Sequence, residues 1–312
     1  MRIFLFLFLS LFSLYTSAQN PQQRKNVIKA LELYNSGKVE KGINTIKKEI
    51  NKDRQFFLGY YALEAIFLNL EDYNSLRQNY NEAIAWMPKN GYFYFKRGYL
   101  NLNDSRPKEA INDLNSAYEL IQNDSLIFLV LKARGGAKGL INDSEGAYND
   151  YYACYKFDST DVEVINNLAA SLGELGKHEE AIKYLFKVVE MDPTKHYSYL
   201  NIGFQYQYLN QHDKAIEYFD KTIQIDPKMA YAYSNRSFSK LQLGDIEGAK
   251  KDIEISINLD PTNSYAYRNK AHIFLKEGNI SGACEQLQIA LKKGFTTQYG
   301  LEVKNLSNEH CK

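Results

Sequence analysis

Cysteine, proline and an excess of either charge are all scarce in this sequence, and each scarcity closes off a class of protein. Three cysteines in 312 residues, Cys154, Cys284 and Cys311, cannot build the dense disulfide framework that holds small secreted folds together. Stability must come from packing. Thirty-eight Lys and Arg stand against 37 Asp and Glu, for a formal net charge of +1. No polybasic footprint points to nucleic acid, and the charges are scattered as on solvated helix faces. Beyond Ala18 no apolar run is long enough to cross a bilayer. Prolines number six, but four of them are spaced too regularly to be incidental.

The first residues, MRIFLFLFLSLFSLYTSAQN, set Arg2 before an apolar run from Ile3 to Tyr15, followed by Thr16, Ser17 and Ala18. A charged start, an apolar stretch and a small residue before the cut describe a secretory signal peptide at 1–18, with an uncleaved anchor as the alternative. No cysteine follows the run, so a lipid anchor is not expected. Export to the periplasm or exterior of a bacterial cell is the expected location. The N-x-[ST] triplets, one of them at Asn235 inside an expected packed helix, are read as chance.

Pro193, Pro227 and Pro261 stand 34 residues apart, each preceded by Asp, and Pro88 belongs to the same comb. A proline cannot continue a helix and disfavours helix at the residue before it, so these positions mark helix ends. Between them lie two amphipathic runs separated by turns such as Gly176-Lys177, Asn210-Gln211, Gly244-Asp245 and Gly278-Asn279. Counting from these anchors gives eight units: 23–56, 57–90, 91–127, 128–161, 162–195, 196–229, 230–263 and 264–297. The third holds three extra residues, expected in a loop around Gln122–Ser125. Position 8 is small in most units (Ala30, Gly98, Gly135, Ala169, Gly203, Ser237, Ala271). Position 20 is alanine six times running, from Ala110 to Ala283. Small residues on facing helices permit close approach, and larger side chains at positions 24 and 28 fill the space beside them.

This pattern resembles the tetratricopeptide repeat family, whose 34-residue helix-turn-helix unit has small residues at positions 8 and 20 and proline at 32. The resemblance covers about 23–297 and is most specific in 162–297. The unit 57–90 departs from it, with Glu64 and Leu76 at the small positions, and Gly42 replaces alanine in the first unit. The resemblance implies an all-α, right-handed α-solenoid of eight helix pairs over 19–298, with 299–312 as a C-terminal cap. In that cap Tyr299, Val303, Leu306 and His310 share one helical face. A disulfide between Cys284 and Cys311 would staple the cap in an oxidising compartment, against two unpaired thiols as the alternative. Cys154 falls at a packing position and is expected as a buried thiol.

In that family the first helices line the concave surface, and their positions 2, 5, 6, 9, 12 and 13 face the groove. Position 6 reads Asn167, Asn201, Asn235 and Asn269, and position 2 reads Tyr197, Tyr231 and Tyr265. Phe204, Phe238 and His272 occupy position 9, with Arg268 at position 5 and Lys276 at position 13. A carboxamide offers donors and an acceptor that match the main chain of an extended peptide, and tyrosines supply rigid contact area beside it. The alternative for the asparagines is family inheritance, in which they bond neighbouring helices. The family's clamp for a C-terminal carboxylate is not reproduced; Arg268 and Lys276 would form a local basic patch.

No catalytic constellation or cofactor site emerges. RGGAKG, from Arg134 to Gly139, lacks the ending of a phosphate loop and any strand before it. His178 and His212 share position 17 without a carboxylate or thiol at matching spacing, and read as solvent-exposed turn residues, not zinc ligands. The expected function is therefore a non-enzymatic protein-interaction scaffold. It would hold an extended peptide or partner segment in the concave groove, mainly over 162–276. The alternative is a structural subunit of an envelope assembly that uses the solenoid's edges or convex face.

Overall fold

A computed structural model describes residues 20–296 and 300–311. The expected signal peptide lies outside the described residues, and so does Tyr299. Within them the chain forms seventeen α-helices and divides into two compact units between Asn142 and Asp143. The first unit holds α1 (Pro21–Asn35), α2 (Val39–Lys52), α3 (Phe57–Asn69), α4 (Tyr73–Trp86), α5 (Gly91–Asn103), α6 (Pro107–Leu120) and α7 (Asp124–Leu140). The second holds α8 (Ser144–Phe157), α9 (Val162–Glu174), α10 (His178–Met191), α11 (His196–Tyr208), α12 (His212–Ile225), α13 (Ala230–Gln242), α14 (Ile246–Leu259), α15 (Ser264–Lys276), α16 (Ile280–Lys292) and α17 (Glu302–His310). In each unit consecutive helices pack as antiparallel neighbours, the arrangement of an α-solenoid.

A residue with positive φ stands in each turn between the two helices of a repeat. Gly37, Glu71, Ser105, Asn142, Gly176, Asn210, Gly244 and Gly278 all have positive φ, from 54 to 86°. All eight stand at position 15 of the repeat. The left-handed residue lets the next N–H turn back onto the helix, as when Lys177 donates to the Leu172 carbonyl at 2.9 Å and Asp245 to that of Lys240 at 2.9 Å. At the other end of the unit, the aspartate before each proline accepts from the backbone two residues on. Asp192 takes the Thr194 N–H at 3.0 Å and its hydroxyl at 2.6 Å, and Asp260 takes those of Thr262 at 2.9 and 2.6 Å. The Asp-Pro comb is thus an Asx turn that holds the connection between repeats.

Packing follows the small positions. Every alanine at position 20 is buried, and Gly203 at position 8 faces the buried Phe219 so closely that an added Cβ would lie 2.5 Å from the ring. Gly42 has a similar cause: a Cβ there would meet the Ala30 carbonyl at 2.7 Å. The unit 57–90 keeps the common register, since α4 starts sixteen residues after α3 as α10 does after α9. Its Glu64 is 3% exposed and satisfied within the fold, accepting from the Tyr92 hydroxyl at 3.0 Å and pairing with Lys96 at 3.0 Å. Burial still raises its carboxyl above the usual range, because these partners only partly offset the loss of water.

Two expectations need correcting. The three extra residues of the third unit do not lengthen a loop. Together with one residue of the connection before it, they extend α7 by a turn at its N-terminus, to 17 residues where the other first helices from α3 onward have 13. Asn123 caps that turn, accepting from the Leu126 N–H at 3.0 Å. The final helix begins at Glu302, not 299, with Gly300 at φ 86° just before it. Its Val303 is buried against Ala271, Leu287 and Phe295. Cys311, after this helix, forms a disulfide with Cys284 of α16, their Cα atoms 5.6 Å apart. Cys154 is buried in α8.

Candidate functional site

The first helices of the second unit, α9, α11, α13 and α15, each touch the next first helix in the series. Their polar side chains supply the bridges. Ser198 of α11 donates to Asn166 of α9 at 3.1 Å. Gln207 of α11 donates to the Asn235 carbonyl at 2.7 Å and the Ser239 hydroxyl at 2.8 Å. Asn269 of α15, 1% exposed, donates to both the carbonyl and the hydroxyl of Ser234 at 3.0 Å. The asparagine row is therefore not uniform. Asn235 and Asn269 are buried, and Asn269 bonds the neighbouring helix, whereas Asn167 and Asn201 are half-buried.

Arg268 departs furthest from the expected basic patch. It is 8% exposed, its guanidinium lies over the rings of Phe238 and Tyr265, and it donates to Asn269 at 2.7 Å. Its main partner is Glu302 of α17, reached through Nε at 2.9 Å and again through a second nitrogen. His272 lies 3.5 Å from the same carboxylate but off the line of a straight hydrogen bond. Burial pushes the Glu302 carboxyl up, yet His272 and Arg268 outweigh it and hold the group at about 2. Arg268 and His272 thus dock the last helix. A pairing 34 residues apart left no local mark beyond the repeat period itself.

What remains open on this face is aromatic. Tyr197 is 60% exposed and Tyr231 41%, with Tyr208 of α11 at 58% beside them in the series. Phe204 packs edge-on to Tyr208 at 5.0 Å, and Phe238 lies edge-on to His272 at 6.3 Å. Tyr265 is half-buried and stacks on Phe295, while Lys276 is exposed. His178 and His212 are not solvent-exposed turn residues. Position 17 opens the second helix and turns toward the next first helix, so both are half-buried. His178 stacks on Tyr208 at 4.9 Å and bonds Gln205 at 2.8 Å; His212 meets Phe238 edge-on at 6.0 Å. Burial lowers the His212 pKa and favours the neutral ring.

Sequence reasoning also missed a pair that fixes helix to helix within a repeat. Arg236 of α13 grips Asp252 of α14 through two hydrogen bonds of 2.8 and 2.6 Å, and reaches Asp220 at 2.6 Å. In the first unit Arg97 grips Asp113 in the same two-point way, at 2.9 and 2.6 Å. Both pairs stand at positions 7 and 23, and that coincidence was the available signal. Among the described residues no group of three His, Cys, Asp or Glu is placed to hold a metal ion, and no helix is long and apolar enough to cross a membrane.

Two tetratricopeptide repeat models match the sequence, over 162–195 and 196–229. No curated protein matches it. Among solved structures, a tetratricopeptide repeat protein from Parabacteroides merdae is similar at 15% identity and TM-score 0.64, over 93% of this chain and 100% of that one. A thermophilic tetratricopeptide repeat protein of Thermus thermophilus is similar at 16% identity and TM-score 0.54, over 59% of this chain and 98% of that one. These likenesses show the fold. The two matched models make 162–229 a pair of tetratricopeptide repeats, and the same 34-residue unit recurs on either side of them.

Proposed function

We propose that the chain is a non-enzymatic scaffold that binds an extended peptide or partner segment along the first helices of 162–276. The carrying observation is the set of exposed tyrosines on two successive first helices, Tyr197 and Tyr208 on α11 and Tyr231 on α13. Singly exposed apolar residues are ordinary, but aromatic rings aligned on one face at low entropy cost suit recognition. Half-buried Phe204, Phe238, Asn167 and Asn201 complete a face with apolar area and carboxamides for a ligand's main chain. Arg268, Asn235 and Asn269 are removed from the expected contact set, because the fold uses or covers them. Export to the envelope rests on the apolar N-terminal segment and on the Cys284–Cys311 disulfide, a bond kept in oxidising compartments.

The test is capture of partners from an envelope fraction by the intact chain and by the Tyr197→Ala/Tyr208→Ala/Tyr231→Ala variant. The variant is expected to lose its partner at least tenfold while keeping its helical circular dichroism, since exposed positions contribute little to folding. Retained capture with normal folding would sink the groove in favour of the edges or convex face, as in a structural subunit.

A further inference from the structure

A cavity opens in the first unit. Its volume is about 1010 Å³, at the upper end of the roughly 300–1,000 Å³ usual for sites that take a small molecule. Five aromatic rings line it, those of Phe57, Tyr61, Trp86, Tyr92 and Phe95. Leu126 and Leu129 of α7 and Ile121 before it form the opposite wall. That wall exists because the third unit is longer: Leu126 belongs to the extra turn at the start of α7, a turn that no other described first helix of the series has. Trp86 and Leu129 are 47 and 44% exposed, so the cavity is open to solvent and to a ligand.

The charged groups on its lining have one sign. Arg24, Lys89 and Lys96 are the charged residues there, and no carboxylate joins them. Behind the wall Glu64 pairs with Lys96 at 3.0 Å, while Lys89 is exposed at the mouth. The carboxamide oxygens of Asn90 and Asn123 already cap α5 and α7, accepting from Tyr92 and Leu126 at 3.1 and 3.0 Å. Both side chains keep their amino groups as donors. With three cations, no carboxylate and these donors beside hydrocarbon and aromatic area, the lining suits an anionic head on an apolar body.

From this we propose that the cavity is a binding site for a small amphiphile with an apolar body and an anionic head, of the class of alkyl carboxylates. The body would lie among Phe57, Trp86 and Leu129, and the head would meet Lys89 and the amide donors. The site is independent of the partner face proposed for the second unit.

Trp86, the single tryptophan in the sequence, reports directly on occupancy. The full chain would be titrated with dodecanoate below its micellar concentration, with dodecanol and dodecyltrimethylammonium in parallel, following tryptophan emission. We expect a saturable blue shift with dodecanoate, and an apparent Kd at least tenfold weaker for the cationic probe. Lys89→Glu should weaken dodecanoate about tenfold and narrow its preference over the cation. Leu129→Glu should abolish the shift. Both side chains are exposed, so circular dichroism is expected to stay unchanged. Equal binding of the anionic and cationic probes, no shift with any probe, or a shift that survives Leu129→Glu would each overturn the proposal.

Discussion

Single side chains here are governed mainly by backbone geometry and by what small residues make room for. Position 15 shows the first. Glu71, Ser105, Asn142 and Asn210 adopt the positive φ that glycine takes in the other four turns, at a cost of roughly 1–2 kcal/mol for an L residue. Glu71→Gly is therefore expected to stabilise the chain by about 1 kcal/mol in urea unfolding, with Gly244→Ala shifting the midpoint the opposite way. An unchanged midpoint in both would mean that the turns do not govern stability. Position 8 shows the second. Gly203→Ala would push a methyl group into the buried Phe219 ring and is expected to cost about 1–3 kcal/mol. Gly139→Ala, with nothing within 4 Å of the added Cβ, should gain up to about 1 kcal/mol. The turns at Gly176, Asn210, Gly244 and Gly278 and the small position 8 were readable beforehand, because glycine, asparagine and alanine recur there in register, whereas Glu71 and Ser105 in the same turn carry no such mark. Glu64 was not readable as a buried residue, since its satisfaction depends on Tyr92 and Lys96 from the following repeat.

The docking of α17 can be switched by solution conditions. It is held by a disulfide, by Val303 in the last apolar cluster, and by Glu302 between Arg268 and His272. The Glu302 carboxyl titrates at about 2 in the folded chain against an ordinary 4.5. A depressed acid contributes stability that is complete above the unfolded value and is lost as pH falls through the folded one. With the disulfide reduced, amide exchange in α17 should therefore accelerate between pH 4.5 and about 2, after correction for the intrinsic rate. Glu302→Gln should lose that pH-dependent component and start from weaker protection. Identical profiles for the two chains would show that the carboxylate does not hold the helix. The sequence marked the cap and the two cysteines. It did not mark that the cap would take Arg268 or that Asn269 would bond Ser234 of the preceding repeat, because contacts between successive repeats are set by stacking and not by local pattern. The added turn of α7 was more accessible: Asn123-Asp124-Ser125 is a helix start as readily as a loop.

Across the whole chain, the 34-residue period carried the architecture, since each unit buries its apolar side only against its neighbours. It could not say which polar residues of the first helices those neighbours consume. The distribution now visible has buried asparagine and arginine working for the stack in the last repeats, with tyrosines left open on α11 and α13. Photocrosslinking distinguishes this division from recognition on the second helices. A benzophenone side chain would replace Tyr231 on α13 in one chain and Lys251, exposed on the second helix α14, in another. Irradiation with the envelope fraction is predicted to yield a discrete adduct from position 231 and none from 251. An adduct from 251 with none from 231 would contradict the account and move recognition to the second helices.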